Sequence, residues 1–161
     1  MSHTVITIAR QYGSGGKTVG KMLAEDLGIH FYDREIIRLA SDESGISEQL
    51  FGAADETPKS GILGRIAQKI YTGEVLPPDS DDFASTDNLF NYQAKIIKQI
   101  AEEESCVIIG RCADFVLKDY DNVISVFVHG PFDFCLKEAM KKFSKTEDEM
   151  SIDRINKLIE S

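Results

Sequence analysis

Hydrophobic positions along the chain follow two spacings, and their alternation predicts the order of elements. Thr4-Val5-Ile6-Thr7-Ile8-Ala9 is a near-continuous β-branched run closed by a glycine cluster, which predicts a buried first strand. From Lys17 to Leu27 the spacing becomes helical through Val19, Met22, Leu23 and Leu27, and Gly28 supplies a C-terminal stop. Ile29 to Tyr32 reads as a short second strand. A helix then opens at Asp33, a suitable N-cap, with Ile36, Leu39 and Ala40 on one face. Ser47–Ala53 and Gly61–Tyr71 are shorter helical stretches. Leu89 to Glu103 is amphipathic through Leu89, Ile96, Ile97, Ile100 and Ala101, with Gln93 on the polar, solvated side. Cys106–Gly110 and Val123–Val128 read as two more buried strands. After Pro131, Phe132, Cys135, Leu136, Ala139, Met140 and Phe143 form a helical stripe. Ile152, Ile155, Leu158 and Ile159 mark a last helix.

Strands of this kind alternating with helices predict an α/β fold, a parallel sheet covered by helices on both faces. No internal repeat interrupts residues 1–161, which read as a single domain. Residues 73–88 contain Pro77-Pro78 and the aspartates Asp79, Asp81, Asp82 and Asp87, and read as a mobile acidic loop, either a linker or a flap.

Charge narrows the function. The net charge of −9 argues against a nucleic-acid polymer as the main partner, because that needs a broad basic face. It leaves room for a mononucleotide, which a few local cations can hold; Arg10, Lys17, Arg34, Arg38 and Arg111 qualify. No stretch approaches the roughly 20 apolar residues that cross a bilayer, and the N-terminus lacks the pattern of a signal peptide, so no membrane partner and a cytoplasmic location are expected. Cys106, Cys112 and Cys135, without CxxC spacing, predict neither a disulfide framework nor a zinc site.

The chemistry concentrates in Arg10-Gln11-Tyr12-Gly13-Ser14-Gly15-Gly16-Lys17-Thr18, between the first strand and first helix. Binding a phosphate takes several N–H donors converging without a Cβ in the way, and Gly13, Gly15 and Gly16 permit this. The following helix offers its N-terminal N–H groups and positive dipole end. Lys17 then reaches the β and γ phosphates of a bound nucleotide, and the Thr18 hydroxyl suits Mg²⁺. Gly16-Lys17-Thr18 fits the end of a Walker A motif, although Gln11 stands where that motif has its first glycine. A dinucleotide fingerprint, with Gly13, Gly15 and the later Asp33, is the rival reading, but its third glycine position holds Thr18 and it has no use for Lys17.

The segment ITIARQYGSGGKTVGKMLAEDLGIHFYDREII resembles the start of the cytidylate-kinase-like family of nucleoside monophosphate kinases. CVIIGRCADFVL and SVFVHGPFDF resemble its later segments, in order and at matching spacing. The resemblance implies a three-layer P-loop NTPase fold, ATP with Mg²⁺ as donor, and CMP or dCMP as acceptor. It places the donor phosphates on Gly13, Ser14, Gly15, Gly16, Lys17 and Thr18. Asp33, Arg34, Arg111 and Asp114 fall at the acceptor site, with Thr18 on the metal and Lys17 and Arg111 in catalysis. A guanidinium following a strand's carboxyl end, as Arg111 does, suits bidentate capture of a phosphate.

Two departures qualify the resemblance. No acidic residue stands at the strand end before Gly110-Arg111. The family also continues past the last helix into an arginine-bearing lid, a final strand and a final helix, whereas this sequence stops at Ser161. The expectation is therefore four strands in the order 2-3-1-4 with the fifth absent. Two other functions stay open: a non-catalytic nucleotide-binding relative, and a P-loop kinase for another small acceptor.

Overall fold

A computed structural model describes residues 3–56, 73–143 and 152–160. The strands are β1 (Val5–Arg10), β2 (His30–Tyr32), β3 (Cys106–Ile109) and β4 (Val123–Val128). The helices are α1 (Gly16–Leu27), α2 (Glu35–Ser44), α3 (Glu48–Glu56), α4 (Thr86–Glu103), α5 (Ala113–Val116), α6 (Phe132–Phe143) and α7 (Ile152–Glu160). The expected helix at Gly61–Tyr71 lies outside the described residues. The chain divides into two compact units, one formed by residues 1–32 and 104–161 and the other by residues 33–103.

The first unit holds a four-stranded parallel sheet in the order β2-β3-β1-β4, as expected, flanked by helices. Val5 pairs with Cys106 on one side and Val123 on the other, so β1 is central. Alternation along β1 sends Ile6 and Ile8 to one face, where they pack with Val107, Ile109 and Ala24 of α1. Both β1 and β3 are almost wholly buried.

Two expectations are corrected here. Of the stripe Val19, Met22, Leu23 and Leu27, only Leu23 packs against the sheet core; the other three are exposed, and α1 buries Gly16, Gly20 and Ala24. The cause is close approach: a Cβ on Gly20 would lie 2.9 Å from Ile8 Cδ1 and 3.2 Å from Phe31 Cε2. Large side chains on that face would push the helix, and the loop before it, off the strand. Likewise β4, read as buried, exposes Ile124, Val126 and Phe127, because it is the edge strand of the sheet formed by the described residues.

Cys106 is fully buried at the start of β3 and is a free thiol. Burial, with the neighbouring Glu104 carboxylate adding to it, pushes its pKa from 9.0 up to about 12. Folding thus favours the neutral thiol. That contribution is complete below about pH 9, and it is lost as pH rises through about 12. The stability advantage of the wild type over Cys106→Ala is expected to shrink across this window in denaturant titrations at stepped pH; a constant difference would rule out the linkage.

In the second unit α2 packs on α3 and α4, burying Ile36, Ile37, Ala40, Phe51, Leu89 and Ile97. Gln93, expected in solvent, is buried. The four aspartates of residues 73–88 are exposed, yet the backbone of this stretch is fastened to α4. Asn88 Oδ1 accepts from Leu76 N–H at 2.8 Å, and its Nδ2 donates to Phe83 C=O at 2.7 Å. Asn91 Nδ2 donates to Glu74 C=O at 2.8 Å. The helix itself starts at Thr86, within the expected loop, after a run of turns.

Candidate functional site

The glycine loop leaves the carboxyl end of β1 and returns directly into α1. Gln11 N–H donates to Val128 C=O at 2.9 Å, continuing the strand pairing by one residue. Its own C=O then accepts from Ser14 N–H at 3.2 Å and Ser14 Oγ at 2.7 Å, closing a tight turn. Gly13 and Gly15 take left-handed conformations, with φ of 79° and 84°. Gly15 is the N-cap residue, and its C=O takes the first helical bond, from Val19 N–H at 3.0 Å. The N–H groups of the first turn therefore point out of the helix start toward the loop. No acidic side chain sits in that turn to occupy them, while Lys17 and Thr18 stand there exposed. Such a geometry can hold an anion: it offers N–H dipoles, the positive helix end and one exposed cation.

Gln11, at the position of the missing motif glycine, works as a fastener that the sequence reading did not identify. Its Oε1 accepts from Gly130 N–H at 3.2 Å and lies 3.6 Å from Cys135 Sγ. Its Nε2 donates to Ile159 C=O at 3.1 Å, satisfying a carbonyl in the last turn of α7. Cys135, Ala139, Ile155 and Ile159 form an apolar cluster on which Tyr12 rests. Burial there raises the Tyr12 pKa above its usual value. One side chain thus joins the loop, the end of β4 and the α6–α7 pair. Gln11→Ala is expected to destabilise the fold by about 1–2 kcal/mol, since partners in a partly buried place lose their bonds. Gln11→Glu keeps the acceptor and loses the donor. In thermal unfolding it should fall between wild type and Gln11→Ala, and equal melting of all three would refute the fastening role.

Across the sheet, β3 ends in a second unusual turn. Gly110, Arg111 and Cys112 all have positive φ, of 67°, 59° and 53°. For the two non-glycine residues this conformation costs on the order of 1–3 kcal/mol each, strain of a kind that clusters at functional sites. It places Arg111, partly buried, just after the carboxyl end of β3. Asp114 is exposed in the first turn of the four-residue α5. The Arg10 side chain abuts both Gly16 and Gly110, so the loop and this turn are neighbours.

Within the first unit the structure therefore brings together Gly13, Ser14, Gly15, Gly16, Lys17 and Thr18 with the turn bearing Arg111, and Asp114 follows in α5. Asp33 and Arg34 come directly after β2 and open the second unit. The N-cap residue of α2 is Arg34, already right-handed at φ −73°, with no cap bond from its own side chain. The helix starts later than the sequence reading placed it, so Asp33 precedes the capping position. Among the described residues no group of three or more His, Cys, Asp or Glu side chains is placed to hold a metal ion. A cation here would rest on Thr18 and on the oxygens of a bound phosphate, a donor set that fits Mg²⁺, which keeps several waters and few protein ligands. No helix among the described residues is long and apolar enough to cross a membrane.

A family model described as the cytidylate kinase-like family matches residues 5–157. No curated protein matches the sequence. Among solved structures, an uncharacterized protein from Eubacterium ventriosum ATCC 27560 is similar at 25 % identity and a TM-score of 0.58, over 98 % of this chain and 70 % of that one. A gluconokinase from Sinorhizobium meliloti 1021 is similar at 17 % identity and a TM-score of 0.49, over 99 % of this chain and 74 % of that one.

Proposed function

We propose that this chain, which belongs to the cytidylate kinase-like family, transfers the γ-phosphoryl group of ATP to a nucleoside monophosphate, CMP or dCMP. Family membership supports a phosphotransferase in general terms. The observation that carries the nucleotide reading is the left-handed Gly13 and Gly15 turn delivering the chain into α1 with Lys17 and Thr18 in its first turn.

In this reading Gly13 to Thr18 hold the donor phosphates. Lys17 acts as a point charge on the migrating phosphoryl group, and the Thr18 hydroxyl holds Mg²⁺, which when bound neutralises charge on the phosphate oxygens. Arg111, in its strained turn just after β3, grips the acceptor phosphate through two parallel N–H bonds. Asp33, Arg34 and Asp114 are assigned to the acceptor by resemblance. The reaction breaks the bond between the γ phosphorus and its bridging oxygen to release ADP, and forms a bond from the same phosphorus to an acceptor phosphate oxygen. That oxygen is already anionic, so no general base is required. Catalysis is positioning and charge neutralisation.

A second reading, nucleotide binding without transfer, is favoured by β3 ending in Ile109 before Gly110-Arg111, where an acidic residue would stand in a Walker B strand. Release of ADP from MgATP, measured with CMP, dCMP, UMP, AMP or no acceptor, separates the readings. Turnover confined to cytidine nucleotides supports the proposal. Turnover with a different acceptor shifts the substrate, and ATP binding without turnover under any condition selects the second reading.

A further inference from the structure

Two glycines, one opening α1 and one ending β3, are both shaped around a single side chain. A Cβ on Gly16 would lie 2.6 Å from Arg10 Cβ and 3.1 Å from its Cγ. A Cβ on Gly110 would lie 2.5 Å from Arg10 Nη1 and 3.7 Å from Nη2. Arg10 is the last residue of β1 and is exposed to solvent as a whole. Here the aliphatic stem lies against the first residue of α1, and the guanidinium reaches the end of the neighbouring strand, beside the turn that carries Arg111. At Gly16 the neighbour is the start of the Arg10 side chain, and at Gly110 it is the flexible guanidinium end.

The guanidinium lies there without a counter-charge. Among the described residues no hydrogen bond or ion pair engages the Arg10 side chain, whereas Arg38 in the second unit is paired with Glu35 and Asp42. An arginine with no charged partner among the described residues, at the carboxyl ends of two adjacent parallel strands, stands where open α/β sheets bind their ligands. Its planar fork suits phosphate oxygens. The loop and helix start serve the phosphates held within the loop. The guanidinium lies beyond Gly16, toward the Arg111 turn, on the way from donor to acceptor.

We infer that Arg10 is a catalytic residue that contacts the phosphoryl group in transfer, bridging the donor-phosphate loop and the acceptor turn; this rests on the phosphotransferase reading above. The terminal phosphoryl group of ATP is then its ligand, and ADP lacks that group.

The test is calorimetric titration of MgATP and MgADP into wild type, Lys17→Ala, Arg10→Met and Arg10→Lys. Arg10→Met keeps an apolar stem against Gly16 and removes the charge, and unchanged thermal unfolding verifies that the fold is intact. It is expected to weaken MgATP roughly 10- to 100-fold, the value of a charge-assisted bond to phosphate, and MgADP by less than about threefold. Arg10→Lys should recover part of the loss, as a point charge without the fork. Unchanged affinity for both nucleotides in Arg10→Met, or equal losses for both, would overturn the inference while leaving the nucleotide site standing. Wild type that binds neither nucleotide would overturn the phosphotransferase reading itself, and the Arg10 assignment with it.

Discussion

Gly13→Ala is expected to be the most damaging single-methyl change in the glycine loop, costing about 3–5 kcal/mol of stability from two separate causes. The backbone at Gly13 is left-handed, at φ 79°, which disfavours any residue with a Cβ. The added Cβ would also lie 2.3 Å from the carbonyl oxygen of Cys135 and 2.9 Å from its carbonyl carbon. These are backbone atoms of α6 and cannot rotate away, so the loop and α6 must separate. That separation would also pull at the Gln11 bonds and at the contact of Tyr12 with the α6–α7 cluster. Gly15→Ala is the internal control. Its φ of 84° is as unfavourable, but nothing lies within 4 Å of the new Cβ. Only the conformational cost remains, about 1–2 kcal/mol. For a chain of this size each kcal/mol lowers the melting temperature by about 2–4 °C, so the two variants should melt at clearly different temperatures. Indistinguishable melting would mean that the loop is not packed on α6 as described.

Lys17→Ala should reduce phosphoryl transfer by on the order of 10²–10³-fold while leaving the fold intact. The side chain is exposed in the first turn of α1 and contributes little to the core, so thermal unfolding should match wild type. On the proposed reading its charge counts most as charge shifts during transfer. Lys21, one turn later on the same helix and also exposed, provides the comparison. Lys21→Ala keeps the same helix and nearly the same net charge, and should turn over at the wild-type rate. Equal losses in the two variants would point to a general electrostatic effect and not to a placed cation. Full activity in Lys17→Ala would remove the lysine from the mechanism.

Much of the architecture was legible in the chain because it is written in local patterns. The β-branched runs at 5–10, 106–109 and 123–128 are strands, and the helical stripes after Pro131 and from Ile152 are helices, close to where periodicity placed them. The glycine loop was legible for the same reason: the conformations that Gly13 and Gly15 adopt are ones that glycine alone tolerates well. The resemblance supplied the strand order 2-3-1-4, which local pattern cannot supply.

Other features depended on which surfaces meet. Hydrophobicity placed only Leu23 of the α1 stripe on the buried side, because glycine and alanine carry little apolar signal, yet Gly16, Gly20 and Ala24 are what let the helix approach the sheet. A run such as Val123 to Val128 reads as buried wherever it occurs, and only its edge position leaves it exposed. Gln93 looks solvated by type and is buried by placement. Gln11 and Arg10 look like departures from a motif and a strand end. Their contacts with Gly130, Ile159, Gly16 and Gly110 join residues up to 148 positions apart. The sequence by itself determined most of the elements and the conformation of the glycine loop, since these follow from short-range conformational preference. The tertiary structure alone decided which face of a helix is buried, which strand is an edge and which cations meet, since those depend on distances between segments that no local pattern encodes.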